Sequence, residues 1–337
     1  MSTIRAARVV GRGKLEFVET PVPVLQPGQA LVRPLLLTFC GSDVHMCYHS
    51  DEELYPLPIG TTGHEMVGVV EAVNGAAPGI AVGDLTLTLA PEHRALAELY
   101  AAPIEHVIPL PNGWPLDHLL MAQPLGTVIY ACKQLPNLVD RDVVVLGQGA
   151  VGLFWDVMLR RMGARRVIGV DPVAVRAAAG RRFGATHTLH NGQSNGRRSD
   201  EPLAAVREIL GGQLADLVVE AAGELETIDL APQLVKPGGH LCFFGIPRTH
   251  RFEFDFARFH RRYCHTFSIA GAPYELGCRS FRLALEMVAD GQVDVEPLLT
   301  HRLPFERAAE GLELARTRGD GVLKVVIEMP GYARDAR

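Results

Sequence analysis

Residues 143–154 read "VVVLGQGAVGLF", and this stretch decides the fold. An unbroken apolar run stops at Gly147, glycine recurs at Gly149 and Gly152, and helix-like apolar spacing continues to residue 163. A second apolar run, "RVIGVD" at 166–171, ends in an acid, Asp171. Strand, glycine turn, helix and a second strand closed by an acid make the context in which such glycines bind a dinucleotide. Gly147 permits the tight turn, Gly149 lets the backbone approach a pyrophosphate, and Gly152 lets helix and strand pack closely. Ala150 and Val151 open the helix, whose N-terminal amides face the negative charge. Asp171 would accept from a ribose 2′-hydroxyl and repel a 2′-phosphate, which favours NAD over NADP. Arg165 and Arg176 are the nearby cations that could oppose this preference. The same glycines could also build a turn that binds nothing; the flanking strands and the acid argue for the nucleotide.

Working outward, further apolar runs lie at 215–223 ("ADLVVEAAG"), 238–245 ("GGHLCFFG") and 267–272 ("FSIAGA"), with a helical "AVRAAAGRRFG" at 174–184. Runs buried on both faces, separated by helices, predict a doubly wound parallel sheet over residues 121–274. Residues 1–120 have another texture: short strands such as "ALVRPLLL" and "MVGVVEAV", broken by "PGQ", "VNGAAPG" and "VGD". Residues 275–337 mix helix-like and strand-like pieces, and 191–200, "NGQSNGRRSD", reads as a polar loop.

Composition narrows the function. With 337 residues, 47% of them hydrophobic, the chain can bury two cores. A formal net charge of −5 offers no attraction to nucleic acid or to anionic membranes. No apolar run reaches the roughly 18 residues that a membrane span needs, and the N-terminus lacks a signal-peptide core. A cytoplasmic protein is expected. The six cysteines show no framework spacing and should remain thiols.

Residues 40–65, "CGSDVHMCYHSDEELYPLPIGTTGHE", concentrate potential metal ligands. Taken alone, Cys40 reads as a core cysteine and His64 as a packed histidine. Their company changes that: Glu65 follows His64, Ser42 and Asp43 follow Cys40, and His45 lies three residues past Ser42. Cysteine and histidine are ligands that zinc prefers, and a catalytic zinc keeps one position open.

Taken together, "CGSDVH", "GHEMVGVVEAVNG", "VGD" at 82–84, "GQGAVG", "VVEAAG", "KPGGHL" and "DGVLKVVI" occur in the order seen in the zinc-dependent medium-chain dehydrogenases. The chain resembles the branch containing sorbitol and threonine dehydrogenases along essentially its whole length. The resemblance implies an α/β protein with a discontinuous GroES-like catalytic domain (1–120 and 275–337) and a Rossmann NAD-binding domain (121–274). It implies a catalytic zinc on Cys40 and His64, placed in the cleft. It also implies that Ser42 takes the hydroxyl proton and passes it through the nicotinamide ribose to His45, whose unperturbed pKa of about 6.5 suits that exit. Asp43 is expected to orient a zinc ligand, and Lys324 to hold the acid cluster or to lie solvated. Self-pairing of "FSIAGA" would give a dimer or tetramer.

Two departures stand out. The stretch after "GD" at 83–84 has no cysteine, so no structural zinc is expected, and His93 and His106 there are expected to be surface or loop residues rather than ligands. Gln123 stands in "MAQPLGTVIYA" where a glutamate is usual. Glu65 is therefore expected as the third ligand, with Gln123 ranked second, because Cys⁻ and a carboxylate balance the dication. The polar stretches 46–56 and 245–265 favour a polyol, cyclitol, sugar or amino alcohol as substrate. The competing readings are a zinc-free reductase of the same fold and a catalytically silent nucleotide-binding relative.

Overall fold

The computed structural model describes residues 2–190 and 201–332; the polar stretch 191–200 lies outside the described residues. The chain divides into two compact units, Met1–Thr127 with Ala272–Arg337, and Val128–Gly271. The N-terminal stretch forms β1 (Thr3–Gly11) and β2 (Lys14–Pro21), an antiparallel hairpin. It continues through β3 (Gln29–Thr38), α1 (Gly41–His49), β4 (Glu65–Asn74), β5 (Leu85–Leu89), β6 (Tyr100–Pro103) and β7 (Val107–Pro109). Next come α2 (Leu116–Leu120) and α3 (Ala122–Cys132). The second unit contains β8 (Asp142–Leu146), α4 (Ala150–Arg161), β9 (Arg166–Asp171), α5 (Ala174–Arg182), β10 (His187–His190) and α6 (Glu201–Ile209). It closes with β11 (Ala215–Glu220), α7 (Leu225–Leu234), β12 (Val235–Phe243), α8 (Phe256–His260) and β13 (His265–Ser268). The chain then returns to the first unit with α9 (Arg279–Ala289), β14 (Leu299–Pro304), α10 (Ala308–Thr317) and β15 (Lys324–Glu328).

In the second unit the strands pair in parallel in the order β10-β9-β8-β11-β12-β13. This is the doubly wound arrangement, whose strand order reverses beside its first strand. All five residues of β8 are buried, as its unbroken Val-rich run requires of a central parallel strand. Strand β13 is shorter than the run "FSIAGA": it ends at Ser268, and residues 269–271 leave the sheet.

The first unit holds a seven-stranded sheet, in which β14-β15-β3-β4-β5-β7 form the path and β6 pairs with β3. The register sets Thr38 of β3 opposite Glu65 of β4 on one side and Val326 of β15 on the other. The end of β3, the start of β4 and the start of β15 therefore converge, and α1 begins just past them. The core beneath is built from Leu37, Phe39, Met66, Val325, Ile327 and Phe305, all nearly or fully buried. Among the described residues, no helix is long and apolar enough to cross a membrane.

Candidate functional site

The convergence of β3, β4 and β15 is where the ligand types gather. Cys40 is the N-cap of α1, in an extended conformation, and its amide donates to Asp43 Oδ2 at 2.8 Å. Its Sγ lies 3.4 Å from His64 Nε2 and 2.7 Å from Ser42 Oγ. His64 arrives from the turn before β4, where Gly63 has φ +102, a left-handed conformation that side chains resist. Asp43 is fully buried. Its Oδ1 faces His64 Nδ1 at 3.2 Å, accepts from the Gly63 amide at 3.1 Å and accepts from the Thr62 hydroxyl. Burial alone would raise the Asp43 carboxyl, but the charge and hydrogen bond of His64, helped by His93, hold it well below the usual carboxylate range. Burial likewise pulls the His64 imidazole down, yet the charges of Cys40 and Asp43 carry it well above its ordinary value.

Glu65, at 1% exposure, accepts from the Thr38 hydroxyl and forms an ion pair with Lys324. Lys324 also donates to the Phe39 carbonyl at 3.1 Å. The expected electrostatic neighbour of the acid is therefore in place, 259 residues away in sequence. Ligand atoms of Cys40, His64 and Glu65 all lie within 4.8 Å of one another. A thiolate, an imidazole and a carboxylate so close together, with a second carboxylate behind the imidazole, stabilise a cation, and the mixed soft and borderline donors suit zinc. Gln123, near the start of α3, is 2% exposed, and its Oε1 is buried without a hydrogen-bond partner. A buried amide oxygen left unpaired is costly, and a metal or its bound water would satisfy it. Ser42 is buried, and half-buried His45 follows one turn later on α1, with its ring 6.1 Å from that of His49.

Both histidines of the stretch 83–112 are less exposed than a surface residue would be. His93 does lie in a loop, but it is no surface bystander: its ring packs 4.1 Å from that of His64, and its Nδ1 is 3.5 Å from Asp43 Oδ1. His106 is buried, at 8% exposure, in a short 3₁₀ turn, Ile104–His106. Spacing could not reveal either position. The loop carrying His93 is tied to the turn before His64 by Ala95 N to Gly63 O (3.1 Å) and Leu96 N to Thr62 O (2.8 Å), contacts with no periodic signature.

In the second unit, Gly147 has φ +95 and its amide donates to Val170 O at 2.8 Å, which turns the chain from β8 toward α4. Gly149 is the N-cap of α4, followed by buried Ala150 and half-buried Val151. A Cβ on Gly152 would stand 1.8 Å from Gly147 O, so only glycine fits there. Asp171, 4% exposed, accepts from Gln148 N at 2.7 Å and from Val173 N at 2.8 Å; it braces the turn as well as ending β9. Arg176, on α5, is buried, with a guanidinium nitrogen 3.7 Å from where a Cβ on Gly149 would lie. That places its charge beside the middle glycine, where a pyrophosphate approaches the backbone. One feature escaped sequence reasoning. Gln148 turns inward, and its side chain occupies the space left by the missing Cβ atoms of Gly169 and Gly180.

Comparison with known proteins agrees with both halves. Residues 26–112 match the alcohol dehydrogenase GroES-like domain, and residues 150–289 match the zinc-binding dehydrogenase family. The chain is 27% identical to sorbitol dehydrogenase 1 of Saccharomyces cerevisiae, over 94% of this chain and 96% of that one. It is 27% identical to L-threonine 3-dehydrogenase of Mesorhizobium japonicum, over 92% of this chain and 94% of that one. Among solved structures, alcohol dehydrogenase TADH from Thermus sp. ATN1 superposes with a TM-score of 0.77 at 25% identity, covering 96% of this chain and 99% of that chain.

Proposed function

We propose, from the premise that this chain belongs to the zinc-binding alcohol dehydrogenase family, that it is a cytoplasmic zinc-dependent oxidoreductase moving a hydride between a secondary alcohol and NAD. The carrying observation is the set of half-buried Cys40 and His64 with buried Glu65, their ligand atoms within 4.8 Å of one another. Cys40 and His64 hold the metal, Glu65 is the third ligand and Gln123 the second choice for that position. A zinc held there would supply Lewis-acid polarisation of the alcohol oxygen, and a bound nicotinamide would supply the hydride chemistry. The chain's own groups manage the proton and the geometry. Asp43 fixes the His64 tautomer by accepting a hydrogen bond from Nδ1–H, which leaves Nε2 for the metal. Ser42, beside Cys40 Sγ, would take the alcohol proton as it releases its own hydroxyl proton through the nicotinamide ribose to His45, which would pass it to solvent. Lys324 offsets the Glu65 charge and keeps that carboxylate in place. Gly147, Gly149, Ala150, Val151 and Gly152 present the α4 amides to the pyrophosphate, Arg176 neutralises it, and Asp171 takes the ribose hydroxyls and disfavours a 2′-phosphate.

The substrate class is a polyol, cyclitol, sugar or amino alcohol. The polar residues after the ligand motif support it, as do the names of the relatives, sorbitol and threonine dehydrogenases. The stretch 83–112 offers no cysteine for a second zinc, so one zinc per chain is expected. The test is a panel of polyols and amino alcohols with NAD and with NADP, read by absorbance of the reduced cofactor and paired with metal analysis. Turnover that prefers NAD and vanishes on zinc removal supports the proposal. Turnover that persists after complete metal removal overturns its zinc chemistry, and a preference for NADP overturns its cofactor.

A further inference from the structure

We infer that His93 is a positioning residue for the metal site: its imidazole braces the Asp43 carboxylate, so that Asp43 grips His64 by Nδ1 and presents His64 Nε2 to the metal. The inference rests on the zinc reading above and extends it to a residue in a different loop.

Asp43 Oδ1 is crowded. It meets Gly63 N at 3.1 Å, His64 Nδ1 at 3.2 Å, His93 Nδ1 at 3.5 Å and the Thr62 hydroxyl, while Oδ2 takes the Cys40 amide at 2.8 Å. An ionised carboxylate only accepts, so both histidines present a protonated Nδ1 to it. Among the described residues, its ion-pair contacts are with these two histidines and with no lysine or arginine. A fully buried carboxylate is held at a cost, and each donor on it limits its freedom to rotate away from His64. His93 adds a second restraint, because its ring lies 4.1 Å from the His64 ring and limits that ring's tilt.

The backbone of His93 points the same way. It has φ +54, a left-handed conformation uncommon for residues other than glycine, though histidine, asparagine and aspartate adopt it more readily than most. Its amide donates to Ala90 O at 2.8 Å, and the following residues are stitched to the turn that delivers His64. A left-handed conformation fixed by these surrounding hydrogen bonds and directed at a metal-orienting carboxylate is what a positioning role requires.

Two substitutions separate bracing from bulk. His93→Gly removes the ring and relaxes the backbone, whereas His93→Asn keeps a donor near the Nδ1 position and tolerates the left-handed region. Zinc affinity is measured by competition with a chromophoric chelator, alongside the thermal midpoint of the metal-stripped protein. The expected result is a zinc affinity lower by about 10- to 100-fold in His93→Gly, the usual range for losing a partner behind a metal ligand. His93→Asn should restore most of it, with little change in the metal-free midpoint. Wild-type zinc affinity in His93→Gly overturns the inference and leaves the zinc reading intact. Equal zinc loss in both variants, tracking a fall in the metal-free midpoint, overturns it in favour of ring packing. Wild-type protein that binds no zinc overturns both.

Discussion

Single residues at the candidate metal site act through charge balance. Glu65 and Lys324 are both nearly excluded from solvent, at 1% and 3% exposure, and they pair directly. Removing one partner of such a pair leaves a buried, unpaired charge, at a cost of about 3–5 kcal/mol. Lys324→Met should therefore lower stability by that order in urea unfolding, and adding Glu65→Gln should recover much of the loss. If Lys324→Met unfolds like wild type, the pair does not matter to stability. Gln123 gives a second prediction. If its unpartnered buried oxygen faces the proposed zinc, it is a neutral donor where an anionic one would bind better, so Gln123→Glu should retain more zinc than wild type after mild chelation. Metal analysis decides it, and a fall in retention would place residue 123 away from the metal. The types of these residues were readable in sequence, since "CGSDVH" and "GHE" announce soft and borderline ligands. The role of Lys324 was left open between holding the acid and lying solvated, and that of His93 was not readable, because each depends on a contact across a long separation.

At the scale of elements, α4 carries a buried polar group that its helical spacing does not advertise. Asp156 is fully buried; one of its oxygens has no partner and the other meets Gln148 Nε2 at 3.5 Å. Burial pushes its carboxyl well above the usual carboxylate value, a shift that the Gln148 contact only partly opposes. The sign of the effect on stability follows. Below the usual carboxylate pKa, folded and unfolded chains both hold the proton and ionisation costs nothing. Above it the unfolded chain releases the proton while the folded chain keeps it, so stability falls with rising pH until the raised folded value is passed. Asp156→Asn has no such slope. Its advantage over wild type in urea midpoint should be smaller at pH 4 than at pH 8, and a constant difference would refute a neutral buried Asp156. The central strands of this unit were legible for a plain reason, whereas the short edge strand β10 was not read from the sequence. A central parallel strand is buried on both faces, so its sequence is apolar without interruption, as in β8. The end of β13 was not legible, because the apolar run continues past the last ladder partner.

At the scale of the whole molecule, the open question is assembly. Strand β13 is the edge of the six-stranded sheet, and its residues His265, Thr266 and Ser268 are exposed, with no proline or charged lysine or glutamate to guard the edge. Such an edge offers unpaired backbone groups to a second copy. We expect a dimer or tetramer in solution, and Thr266→Lys should shift it toward monomer through like-charge repulsion across the pairing. Light scattering at micromolar concentration tests this; a monomeric wild type would refute it.

The sequence by itself determined whatever a local pattern can encode. Unbroken apolar runs announced the parallel sheet, glycine spacing announced the tight turn between β8 and α4, and clustered cysteine, histidine and acid announced a candidate set of metal ligands. Order along the whole chain supplied the family resemblance. Tertiary structure alone decided which distant groups meet. It set Lys324 on Glu65 from 259 residues away and His93 on Asp43 from 50 residues away. It also turned Gln148 inward between Gly169 and Gly180. The physical reason is that periodicity records which face of one element is apolar, whereas a buried charge or amide is tolerable only if the register of other elements brings it a partner, and register is a property of the assembled sheets.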